Sequence, residues 1–74
     1  MTELARIIGQ KIKAHRRSKQ ISQYALGLMA SVDASYIGRI EKGTVNLSVE
    51  KLISIANALK IDPRALLPDE NSHD

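Results

Sequence analysis

Few side chains in this sequence could make or break a covalent bond. There is no cysteine, hence no thiol nucleophile and no thiolate metal ligand. The two histidines, His15 and His73, show no metal-ligand spacing and offer little general-base capacity. The four glycines form no phosphate-binding loop. Catalysis, a metal and a cofactor are therefore not expected, and a chain of 74 residues has little room for a deep small-molecule pocket. The chemistry that remains is that of cations. Residues 1–60 carry ten Lys and Arg against four Asp and Glu, whereas residues 61–74 carry one against four. A basic body with an acidic end suits a polyanionic partner. Lysines and arginines also solvate helices, and composition alone leaves both readings open.

The elements that must position these groups are helical. No stretch alternates with period two for long enough to suggest a sheet, and both prolines, Pro63 and Pro68, lie near the C-terminus. A first helix is expected over Thr2 to Lys19, with Leu4, Ile8, Ile12 and His15 on one face and Lys11, Lys13, Arg16, Arg17 and Lys19 on the polar side. Ser22 caps a second, which contains Gln23, Tyr24, Leu26 and Met29 and ends near Ser31. Asp33 caps a third, carrying Tyr36, Ile37 and Ile40 and stopping at Gly43, a residue suited to a left-handed C-cap. After the loop from Thr44 to Leu47, Ser48 caps a fourth helix with Leu52, Ile55, Ala56 and Leu59 inward. Asp62-Pro63 opens a short fifth with Leu66 and Leu67. The expected class is all-α, a compact five-helix bundle in one domain over residues 1–67, with a polar, frayed tail over 68–74.

No apolar run approaches the roughly 20 residues that span a bilayer, and the N-terminus lacks the plan of a signal peptide. No membrane partner is expected, and a soluble cytoplasmic protein is the default reading.

The segment Ile21-Ser22-Gln23-Tyr24-Ala25-Leu26, followed by Val32-Asp33-Ala34-Ser35-Tyr36-Ile37-Gly38-Arg39-Ile40-Glu41-Lys42-Gly43, resembles the helix-turn-helix of the phage repressor and Cro family, also called the Xre family. That family's pattern is an apolar residue, Ser or Thr, Gln, two variable positions and Leu, then Tyr-Ile-x-x-Ile-Glu-x-Gly. The likeness runs from about residue 8 to residue 67, most of the chain. It implies a lambda-repressor-like DNA-binding domain whose third helix enters the major groove of double-stranded DNA. It also implies a homodimer on two half-sites about 34–36 Å apart, with no small-molecule ligand. The stretch Asn46-Leu47-Ser48 adds a likeness to restriction–modification controller proteins within the family.

The resemblance assigns Ala34, Ser35, Gly38 and Arg39 to base reading. Arg39 is the strongest candidate, because a guanidinium can bond guanine O6 and N7 together; its plain alternative is a solvated arginine or a phosphate clamp. Ser22, Gln23, Tyr36, Lys42, Thr44, Asn46 and Arg17 are candidates for the DNA backbone. Capping alone explains Ser22, Tyr36 could pack on the second helix, and a surface loop is polar in any case. Arg16 and Glu41 stand where some family members place a structural ion pair. Ile61, Leu66 and Leu67 are the candidate dimer interface, and the same apolar residues would serve a partner protein in an antitoxin-like module. The chain departs from the pattern at His15, Gln20, Ala30, Ser31 and Lys60, the second, fourth and fifth of these replacing a usual glycine.

Overall fold

A computed structural model describes residues 2–68. Four α-helices follow one another: α1 Glu3–Ser18, α2 Gln23–Ala30, α3 Ala34–Lys42 and α4 Val49–Leu59. The expected fifth helix is a single 3-10 turn, Pro63–Leu66. Its shortness has a local cause. Asp62 caps it by accepting from the Arg64 amide at 2.8 Å, and Leu67 precedes Pro68, whose ring disfavours the helical region for the residue before it. Leu67 is accordingly extended, at φ −98° and ψ 158°. The expected tail lies, beyond Pro68, outside the described residues. Among the described residues there is no strand, and no helix is long and apolar enough to cross a membrane.

The helix starts are set by short hydroxyl side chains. Thr2, Ser22 and Ser48 each accept a hydrogen bond from the backbone amide three residues on, at 3.0, 2.9 and 3.1 Å. Asp33 precedes α3 in extended geometry but makes no side-chain cap bond; its carbonyl receives the Tyr36 and Ile37 amides instead. Several segments end in left-handed backbone. Gly43 takes φ 76° after α3, and three residues with side chains do likewise: Gln20 (59°), Ser31 (62°) and Lys60 (60°). These are the three places where the family's usual glycine is missing.

The core is aliphatic. Ile12, Leu26, Ile37, Ile40, Ile55, Leu59 and Leu66 are fully buried, with Ile8, Ala30 and Ala56 beside them. Leu4 is half exposed, so the inward stripe of α1 begins at Ile8. Helix α3 packs against both α1 and α2, α2 also lies on α4, and the 3-10 turn closes against α4 and α1. At the turn between α2 and α3 the chain passes close to itself: a Cβ on Gly27 would stand 2.6 Å from the Val32 carbonyl oxygen. Glycine there lets α3 swing back tightly onto α2.

Candidate nucleic-acid interface

Helix α3 divides cleanly between core and surface. Ile37, Ile40 and Glu41 are buried, whereas Ser35, Arg39 and Lys42 are exposed and Ala34, Tyr36 and Gly38 are half-buried. Positions 35, 38, 39 and 42 recur at helical spacing and so share the outward face. The start of α2 and the last turns of α1 add further exposed groups: Ser22, Gln23, Lys13, Arg17 and Lys19.

Beneath this face lies a polar network. The Arg16 Nε donates to Glu41 Oε2 at 2.6 Å and its Nη2 to Oε1 at 3.1 Å, while Nη1 reaches the Ile21 carbonyl at 2.8 Å. Gln23 Nε2 donates to the same Glu41 Oε1 at 3.0 Å. One carboxylate on α3 therefore ties α1 and the first residue of α2 to it. The hydrogen bond to Glu41 holds the Arg16 guanidinium above its ordinary pKa, against the opposing effect of burial. No buried side-chain polar atom among the described residues lacks a partner. Because an ionised carboxylate can only accept, Gln23 must turn its NH2 group towards Glu41. Its Oε1 and its second N–H stay available at the exposed surface.

Arg39 and Lys51 lie on the ring of Tyr36, each 5.5 Å from its centroid. Cations attracted by the ring quadrupole lose some freedom, so Tyr36 steadies Arg39 at the rim of α3. Lys51 was not legible from the sequence. It stands on α4, and only the tertiary fold brings it to residue 36. An open hollow beside this cluster is bordered by Leu28, Val32, Tyr36, Arg39 and Lys51.

The other expected site residues fall in different places. Thr44 turns its hydroxyl back to the Arg39 carbonyl at 3.0 Å, so its proton is committed to closing the end of α3. Asn46 is exposed in the loop near Leu4 and Ile8. Ile61 is half-buried and Leu67 is 37% exposed, but Leu66 is fully buried in the chain's own core. Leu66 is therefore withdrawn from the dimer candidates, since a side chain packed under the 3-10 turn cannot also meet a second copy. Exposed apolar residues that the sequence reading did not single out are Leu28, Val49 and Ile53.

Residues 12–66 match a family described as helix-turn-helix. Control protein C.BamHI of Bacillus amyloliquefaciens is 38% identical over 69 residues, which are 90% of this chain and 85% of that protein. The immunity repressor protein of Bacillus phage phi105 is 35% identical over 63 residues, 85% of this chain. The chain spans only 44% of that repressor's length. Among solved structures, the restriction-modification controller protein C.AhdI from Aeromonas hydrophila has a TM-score of 0.83 at 35% identity, covering 85% of this chain and 96% of that one. The P22 c2 repressor, solved with a synthetic operator, has a TM-score of 0.76 at 33% identity over 89% of this chain and 96% of that one.

Proposed function

This chain belongs to the helix-turn-helix family of DNA-binding transcriptional regulators that includes phage repressors and controller proteins, and from that premise we propose that it binds an inverted-repeat operator as a homodimer with α3 in the major groove. The observation that carries this reading is the division of α3. Its inward residues are spent on the core, while Ser35, Gly38 and Arg39 face outward with no structural duty of their own. A helix of this width fits the major groove, where each base pair shows a distinct pattern of donors and acceptors.

In this arrangement Arg39 reads guanine, Ser35 donates or accepts, and Ala34 meets a thymine methyl. Phosphates are held by the start of α2, where Ser22 and Gln23 present a helix N-terminus, and by Arg17, Lys42 and Tyr36 around the rim. The P22 c2 repressor, a relative of similar fold, was solved in complex with a synthetic operator, which supports operator DNA as the ligand here. Self-association draws on Leu67 and Ile61, apolar residues near the C-terminus of which Leu67 is exposed and Ile61 half-buried.

Selection of bound duplexes from a random pool, followed by affinity against salt on the winner, tests the whole reading. An enriched inverted repeat with half-sites about 34–36 Å apart is expected, bound roughly a thousandfold or more above random DNA. Affinity should fall steeply as salt rises, through counterion release. Weak binding equal on all sequences would overturn the proposal.

A further inference from the structure

Helix α3 has two flanks between its inward and outward faces. Successive residues of an α-helix turn by about 100°, so Tyr36 and Gly38, two apart, point to opposite sides. Gly38 lies against the start of α2: a Cβ there would stand 3.6 Å from the Gln23 Oε1. Tyr36 lies against the start of α4, where the Lys51 ammonium stands 5.5 Å from the centre of its ring. The major groove is about 12 Å wide and a helix with its side chains about 10–12 Å across. A helix seated there brings each flank up to a wall of phosphates. On the proposed reading Ser22, Gln23 and Arg17 meet the wall beside α2. For the wall beside α4 that reading names only Tyr36.

Two cations without an acidic partner stand on this second flank. Arg39 and Lys51 come from different helices and converge on one ring, each 5.5 Å from its centroid. Both are exposed. The ion pairs among the described residues are Arg6–Glu3, Arg16–Glu41 and Arg64–Asp62, so neither cation is neutralised by a carboxylate in contact. Asp33 borders the same hollow and belongs to none of these pairs. Like charges gathered on one ring repel each other, and an anion set beside both relieves the repulsion. The hollow that they border with Leu28 and Val32 has a volume of about 570 Å³ and lies open to solvent. A pocket that holds a small molecule buries most of it. This one is too open for that, but it can seat a charged chain that passes across it.

We infer that this hollow is a phosphate site, and that Lys51 of α4 grips the DNA backbone on the wall of the groove opposite the one held by the start of α2. The inference rests on the reading of α3 as the helix in the groove. It adds the element and the residue that hold the far wall. With Lys51 on the phosphate, Arg39 is left for the base edge.

The test is Lys51→Met, which keeps an unbranched side chain and removes the charge. Affinity is measured against salt on the selected operator and on random duplex, with melting followed by circular dichroism. Log affinity falls with log salt by about 0.9 for each phosphate neutralised. The slope of the variant should therefore be shallower by about 0.9 per bound protomer, on both duplexes alike. At about 0.1 M salt each affinity should drop roughly five- to tenfold per protomer, with discrimination and melting as in the parent. Lys51→Arg should keep the parent's slope, because a guanidinium also binds phosphate. Lys60→Met removes a charge at the far end of α4 and should change neither slope nor affinity. A Lys51→Met slope equal to the parent's overturns the inference. So does a loss confined to the operator, which would mean that Lys51 acts only by steadying Arg39. A parent chain that prefers no duplex over another sinks the reading of α3 instead, and the slope on random duplex still decides the role of Lys51.

Discussion

Arg16 of α1 and Glu41 of α3 are joined by two hydrogen bonds, of 2.6 and 3.1 Å, with both side chains almost entirely out of water. Each charge is tolerable there only because of the other. Removing one partner leaves an unpaired buried ion, which typically costs about 3–5 kcal/mol. That is a large share of the roughly 5–15 kcal/mol that holds a typical domain. Arg16→Met and Glu41→Leu should therefore each destabilise the chain severely in urea denaturation followed by circular dichroism. The double variant should recover much of the loss, since two apolar groups of similar size need no compensation. Simple addition of the two single losses would show that the pair is not coupled.

Arg39 carries a separate expectation. Arg39→Ala should leave helicity intact and cost about 1–3 kcal/mol of discrimination at one operator position. Because the Tyr36 ring lies 5.5 Å from the guanidinium, Tyr36→Phe should keep most of that discrimination, while Tyr36→Leu should lose a part of it. Binding to a panel of single-position operator variants reads this directly. Unchanged discrimination in Arg39→Ala would remove it from the reading face.

The two leucines that end the 3-10 turn should behave in opposite ways. Leu66 is fully buried, so Leu66→Asp places a carboxylate in an aliphatic core and should unfold the chain. Leu67 is 37% exposed, so Leu67→Asp should stay folded and weaken self-association. Sedimentation at several concentrations separates the outcomes. A folded Leu67→Asp variant that associates like the parent moves the interface to another surface.

Acid should act on the same turn. The Asp62 carboxyl is lowered from 3.8 to about 2, chiefly by the hydrogen bond from the Arg64 side chain and then by that from its amide. A depressed carboxyl contributes stability that is present in full above its unfolded value and is lost as pH falls through the folded one. The cap should therefore weaken between about 3.8 and about 2, and be unaffected near neutrality. Carbon NMR titration should place the Asp62 midpoint in that low range, and Arg64→Ala should move it upwards. A midpoint that stays put in the variant would exclude the Arg64 side chain as the cause.

What could be read from the sequence was mostly local. Ser22 and Ser48 were legible as caps because a hydroxyl before an apolar helical run has few other uses, and Gly43 because left-handed backbone favours glycine. The division of α3 was legible from its period, and Arg16 with Glu41 from the family pattern. Long-range facts were not. Lys51 reaches Tyr36 only because α4 packs where it does. Leu66 and Leu67 are adjacent, alike in chemistry and opposite in burial, and a turn of four residues has too little periodicity to tell them apart. The 3-10 geometry itself follows from Pro68 acting on Leu67.

Gln20, Ser31 and Lys60 show another limit. Nothing in those side chains announces left-handed backbone, yet all three adopt it. Such a conformation costs a residue with a Cβ on the order of 1 kcal/mol or more. Lys60→Gly and Ser31→Gly should each raise stability by up to about 1 kcal/mol, the relieved strain less the entropy that glycine adds to the unfolded chain, read from the urea midpoint. A loss of stability in both would mean that the extra freedom of glycine in the unfolded chain outweighs the strain.

The close pass at Gly27 has a consequence for how this regulator can diverge. With the Val32 carbonyl already against its backbone, the angle between α2 and α3 cannot be retuned by gradual repacking. On the proposed reading, α3 keeps one pose against the DNA, and a new operator preference must come from exchanging its outward letters. Since Ser35 and Arg39 take no part in the core, those letters can be rewritten singly while the scaffold stays as it is. Duplicated copies of such a chain could drift apart in target without drifting in shape.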